Sequence, residues 1–139
     1  MPLVNESQPV IVADIPKITA NFKSGEKTSS VVYCAGNTFL GICIPYTFTP
    51  SNLYFFASIT GSPDTFFQLT DNLGNILQVS TSATSSIINT NNVAVGTTSG
   101  IQIPFDPDFF AGIQKLVIYS SNPQATDQQV QLLMAPVLG

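Results

Sequence analysis

Apolar residues in this chain alternate with polar ones in short runs, and no segment sustains the three-to-four spacing of a helix face. The runs predict strands over 18–22, 28–35, 39–44, 53–60, 66–71, 76–82, 85–95, 113–120 and 128–135, with a further short one over 101–103. Between them stand Ser24-Gly25, Gly36-Asn37, Pro50-Ser51-Asn52, Gly61-Ser62-Pro63, Asn72-Leu73-Gly74-Asn75, Ser99-Gly100 and Asn122-Pro123. These residues tolerate positive φ or fix φ for a turn. Short strands at this spacing predict one all-β antiparallel sandwich over residues 18–139. The helical exception is a single turn at 106–112, where Asp106 can cap, Pro107 suits the first position and Gly112 suits the exit. Residues 80–99 are compositionally simple and read as a weak edge strand or a long loop.

Strand parity selects the core, because successive side chains point to opposite faces. Leu40, Ile42 and Ile44 share a face, as do Leu53, Phe55, Ala57 and Ile59, Leu116 and Ile118, and Val130, Leu132 and Met134. Gln129 and Gln131 then face outward, as expected of a half-buried strand. The same parity turns Tyr54, Phe56, Val117 and Tyr119 outward on strands whose inner faces are already apolar. A sandwich buries one face of each sheet. A second apolar face therefore expects a subunit, another protein, or the 80–99 segment folded over it.

Residues 1–17 read as an extended arm. Pro2, Pro9 and Pro16 break it, and Val10, Ile11, Val12 and Ile15 give it an apolar patch suited to a partner's surface. The arm has no basic n-region, and the chain has no apolar run long enough to span a membrane, so the expected site of synthesis is a cytoplasm.

The totals narrow the function. The chain has 139 residues, 44% hydrophobic and only 9% charged, with net charge −4. A surface so poor in ions is cheap to desolvate, which suits burial in an assembly, although a neutral Ser/Thr/Asn-rich sheet surface has the same composition. The basic residues are Lys17, Lys23, Lys27 and Lys115, and there is no Arg. No basic patch exists for nucleic acid.

Candidate chemistry is sparse. Histidine is absent, so Ser–His and Cys–His nucleophiles cannot be assembled and a zinc site is not credible. Asp106 and Asp108 form a carboxylate pair, but capping and turn solvation account for them. Asp71-Asn72-Leu73-Gly74-Asn75 resembles part of a calcium loop yet lacks the later bidentate acid, so a hairpin turn is the expectation. Cys34 and Cys43 fall too far apart across a Gly36-Asn37 turn to bridge, and two buried free thiols are expected. Without Trp, a glycan site has no positive signal. No catalytic residue, metal or cofactor is expected, and the chain does not read as an enzyme.

Several motifs together resemble a family of short bacteriophage virion proteins. They are SGEKTSSVVY, GNTFLGICIP, LYFFAS, FFQLTDNLGNIL, DPDFFAGIQKLVIYS and QVQLLMAP, covering nearly all of the chain from residue 18. Gly41-Ile42-x-Ile44-Pro45 and Asp106-Pro107-Asp108-Phe109-Phe110-Ala111-Gly112 are the most specific pieces. The resemblance implies a jelly roll and a structural role in the particle, with no catalytic residues to carry over. The implied reading is a capsid decoration or cement protein. It would bind major capsid protein on the virion surface as a homo-oligomer, a trimer at a local threefold, after synthesis in the bacterial host cytoplasm. A tail, neck or fibre accessory domain, binding another virion protein or a host glycan, is the alternative. One departure from the family is that Tyr54, Phe56, Val117 and Tyr119 stand where relatives carry polar or charged residues.

Overall fold

In a computed structural model, which describes residues 16–59, 62–81 and 100–137, the chain is an antiparallel β-sandwich. Its strands are β1 (Lys17–Phe22), β2 (Val32–Tyr33), β3 (Asn37–Ile44), β4 (Asn52–Ile59), β5 (Ser62–Gln68), β6 (Gln78–Ser80), β7 (Ile101–Pro104), β8 (Ile113–Ser120) and β9 (Gln128–Pro136). Four antiparallel pairs nest inside one another: β1 with β9, β2 with β8, β3 with β7, and β4 with β5. Alternate pairs then join edge to edge. β9 meets β3 to give sheet A, in the order β1-β9-β3-β7, and β8 meets β4 to give sheet B, in the order β2-β8-β4-β5. A long hairpin wound on itself in this way is the jelly roll.

Alternation places the core between the sheets. Phe22, Phe39, Ile42, Leu53, Phe55, Leu116, Ile118, Val130 and Leu132 are all buried there. A 3-10 helix over Pro107–Phe110 closes one end, and Asp106 caps it by accepting from the Asp108 backbone N–H at 3.0 Å. It drives Phe110 into the core against Phe39, Phe55 and Phe105. Gly112 leaves the turn at φ 83°, as its position after the helix required.

The structure departs from strict alternation at two bulges. The register of β3 on β9 slips between Phe39 and Gly41, so Phe39 enters the core and Leu40 is only half-buried. β4 slips between Ser58 and Ile59, which leaves Ile59 exposed. An extra residue in one strand moves everything beyond it to the other face, and parity counted along one sequence cannot see this.

The expected strand over 28–35 also shrinks, to Val32–Tyr33, with an isolated bridge from Thr28 to Tyr119. Here the chain is crossing from sheet A to sheet B, so its backbone serves two partners. Asn21 and Ser30 exchange hydrogen bonds on one side, and Ser29 donates to the Ile118 carbonyl on the other. The turn after β2 is centred on Ala35 and Gly36, both with positive φ, and the Asn37 N–H donates to the Cys34 carbonyl at 2.9 Å. That is a type I′ turn, one residue earlier than the Gly36-Asn37 reading.

β5 and β6 both pair with the same side of β4. They are one edge strand interrupted by an excursion, within which Thr70 bridges Ile76 and Leu77 donates back to Leu69. The arm residues Val10, Ile11, Val12 and Ile15, and the expected strand over 85–95, lie outside the described residues.

Candidate functional site

The outer face of sheet B collects the four outward apolar positions. Tyr54 stands opposite Tyr119, and Phe56 opposite Val117. The Tyr54 and Tyr119 rings are 6.3 Å apart, and Phe56 meets Tyr119 edge to face at 6.5 Å. Their chain neighbours Leu53, Phe55, Leu116 and Ile118 are fully buried on the inner face. The four themselves are half-buried.

Strand register extends this group into three rows. Thr28, Tyr119, Tyr54 and Gln78 form one row, and Val117, Phe56 and Gln68 the next. Tyr33, Lys115 and Ser58 form the third. In that row the Lys115 ammonium lies 5.8 Å over the Tyr33 ring and 3.9 Å from the exposed Asp64 carboxylate. An ion pair to so exposed a partner holds the lysine loosely. Ser58 is fully buried, and its Oγ is the one buried side-chain polar atom among the described residues with no hydrogen-bond partner.

Most exposed large apolar side chains follow the same sheet, with Tyr46 and Val137 flanking sheet A strands β3 and β9. Val31, Tyr33, Ile59, Phe66 and Phe67 belong to the strands of sheet B or their flanks, and Leu73 and Ile76 to its excursion. Sheet A presents amides instead. Asn21 faces Gln129, Thr19 donates to the Gln131 side chain at 3.0 Å, and Gln102 lies beyond Cys43. The sandwich is therefore two-sided, aromatic on one outer face and mainly polar on the other, where Lys17 and Leu133 join the amides.

The groups that might suggest chemistry are used structurally. Asp71 accepts from the Leu73 and Asn75 backbone N–H groups, each at 2.9 Å, and from the Asn75 side chain. The hydrogen bond from the Asn75 backbone, helped by Leu73, holds its carboxyl below the usual range. The excursion brings Asp71 to the same cleft as Asp106 and Asp108, a meeting the sequence did not reveal. No group of three ligating side chains forms there or elsewhere among the described residues. Cys34 and Cys43 are unpaired. Cys34 is buried, which pushes its thiol up to about 11, whereas Cys43 is only half-buried on the outer face of sheet A, contrary to the expectation of two buried thiols. No helix among the described residues is long and apolar enough to cross a membrane.

Fold and face together define a jelly-roll domain with an aromatic outer sheet and a polar one. Comparison with known protein families, curated proteins and solved structures returned no match.

Proposed function

We propose that this protein is a structural virion component, a capsid decoration protein that stabilises a bacteriophage head by binding major capsid protein. The observation that carries the reading is the outer face of sheet B. A contiguous aromatic surface on one sheet, with amides on the other, fits a domain that lies flat on a protein shell. The low charge and the motifs resembling virion proteins support the same reading. Fold alone does not, since jelly rolls serve many functions.

In this reading Tyr54, Phe56, Val117 and Tyr119 sit at a contact with the shell or with neighbouring copies in a trimer. The arm, through Val10, Ile11, Val12 and Ile15, lies across adjacent capsid subunits. Many copies on a closed shell turn modest contacts into avidity. The role requires no catalysis, cofactor, nucleic acid or membrane.

The test is a Phe56→Lys, Tyr119→Lys double variant, whose expected behaviour is a folded, soluble monomer that no longer coats purified heads. Unfolding of the double variant would show that these side chains are covered within the chain itself and would defeat the docking reading. Deleting residues 2–15 is expected to abolish head binding while the sandwich keeps its melting temperature. Copy number in purified particles separates this reading from a tail, neck or fibre role: decoration proteins are abundant, tail parts few.

A further inference from the structure

The polar outer face of sheet A has a shape of its own. At one end, a groove of about 870 Å³ opens between β1, β9 and the 23–30 segment. Asn21 and Gln129 supply its amides, and Lys23, Glu26 and Asp127 its charges. A second cleft of about 370 Å³ continues towards β7 and is bounded by Cys43, Gly100, Ile101 and Gln102. Pro45, Gln129 and Gln131 line both, so the two are adjoining halves of one track across the sheet.

The two halves differ in chemistry. In the first, Asn21 and Gln129 face each other across the strands, and neither side-chain amide is hydrogen-bonded among the described residues. Each offers a donor and an acceptor. The Gln131 carbonyl oxygen is held by the Thr19 hydroxyl, which leaves its amide nitrogen to donate. The three charged groups sum to one negative charge, which disfavours phosphate, sulfate or uronate. In the second half, Cys43 and Pro45 give an apolar lane beside Gln102.

A stripe of paired donors and acceptors beside an apolar lane matches a pyranose chain, which has hydroxyl rims and C–H faces. An extended peptide is matched less well, because it takes its affinity from a free strand edge. The strands under the track, β9 and β3, are interior to the sheet. At Asn21 the outer side of β1 is closed by Ser30.

We propose that the outer face of sheet A binds a strand of neutral polysaccharide. The site lies on the opposite face from the docking surface and stands whether or not sheet B binds a capsid. The test is an amide-resolved NMR titration of the isotope-labelled protein with maltohexaose, cellohexaose and N-acetylchitohexaose. At least one of these is expected to shift the signals of Asn21, Gln102, Gln129 and Gln131. Polygalacturonate is expected to bind more weakly. Asn21→Ala with Gln129→Ala should lower the affinity about tenfold without moving the melting temperature, and Gln102→Ala should lower it independently. The proposal is overturned if none of the three sugars moves these signals, if the shifts fall on sheet B, or if an extended Gly/Ser peptide moves the same signals more strongly.

Discussion

Gln124 is a glutamine in a place usually given to an apolar side chain, and replacing it should be among the most damaging single changes outside the core. It is 2% exposed. Its side-chain oxygen accepts the Thr49 backbone N–H at 2.8 Å, and its amide nitrogen reaches the Ser120 hydroxyl at 3.3 Å. Its own backbone exchanges hydrogen bonds with the 25–26 segment, and the next residue, Ala125, donates to the Thr49 hydroxyl. Three loops at one end of the sandwich thus meet at this residue, and its side chain ties the Thr49 loop to the 120–124 loop. Gln124→Ala strands the Thr49 N–H in a buried site, at about 1–3 kcal/mol, and leaves a cavity that adds roughly 1 kcal/mol. A total of about 3 kcal/mol is a large share of the ~5–15 kcal/mol that holds a typical domain together. Urea denaturation followed by circular dichroism should show a lower midpoint with an unchanged slope, and the melting temperature should fall by about 10 °C. Gln124→Met keeps the volume and loses the hydrogen bonds, so it should recover only the cavity part. A melting temperature for Gln124→Ala within about 2 °C of the parent would refute the idea that this side chain holds the loops.

Ser58→Ala removes the unpartnered buried hydroxyl and should leave stability unchanged or raise it by about 1 kcal/mol, measured by the same denaturation. Ala35→Asn replaces a residue strained at φ 49° with one suited to the first central position of a type I′ turn, and should stabilise by roughly 0.5–1 kcal/mol. The Cys34 thiol, raised to about 11 in the fold, stays neutral where an unfolded cysteine ionises. Its contribution is fully present below the unfolded value of about 8.5 and is lost as pH rises towards the folded one, at roughly 1.4 kcal/mol per pH unit between them. Stability measured against pH should therefore fall through this window in the parent and less steeply in Cys34→Ala. Iodoacetamide at mildly alkaline pH should label Cys43 first.

The strands with one uninterrupted inner face were legible from the sequence. Residues 113–120 are β8, and the 53–60 and 128–135 runs lie within a residue of β4 and β9. The capped turn at Asp106-Pro107 was legible too, because capping chemistry is local. Pairing between distant strands was not. Tyr54, Phe56, Val117 and Tyr119 could be assigned outward one strand at a time, but bringing Tyr33 and Lys115 alongside them needs the β2–β8 register. Nothing in a window of ten residues encodes that register. The two bulges escaped for a related reason: each is set by the partner strand, and Leu40 and Ile59 look like core residues until that partner is known. The track on sheet A had a signal that went unused. Outward parity at Asn21, Gln129 and Gln131 makes a run of amides, but amides carry no distinctive pattern until β1, β9 and β3 lie side by side.

The nesting of the four strand pairs also sets an order in time. The β4–β5 pair closes the shortest stretch of chain, and each pair outside it encloses the one before. Closing a long loop before its contents are folded carries the full entropic cost, whereas closing it over a folded centre carries only the increment. Folding should therefore run from the inside outward, with β1 and β9 docking last. The aromatic face of sheet B is complete only once β8 has docked, and the amide track of sheet A only after β1 and β9 follow.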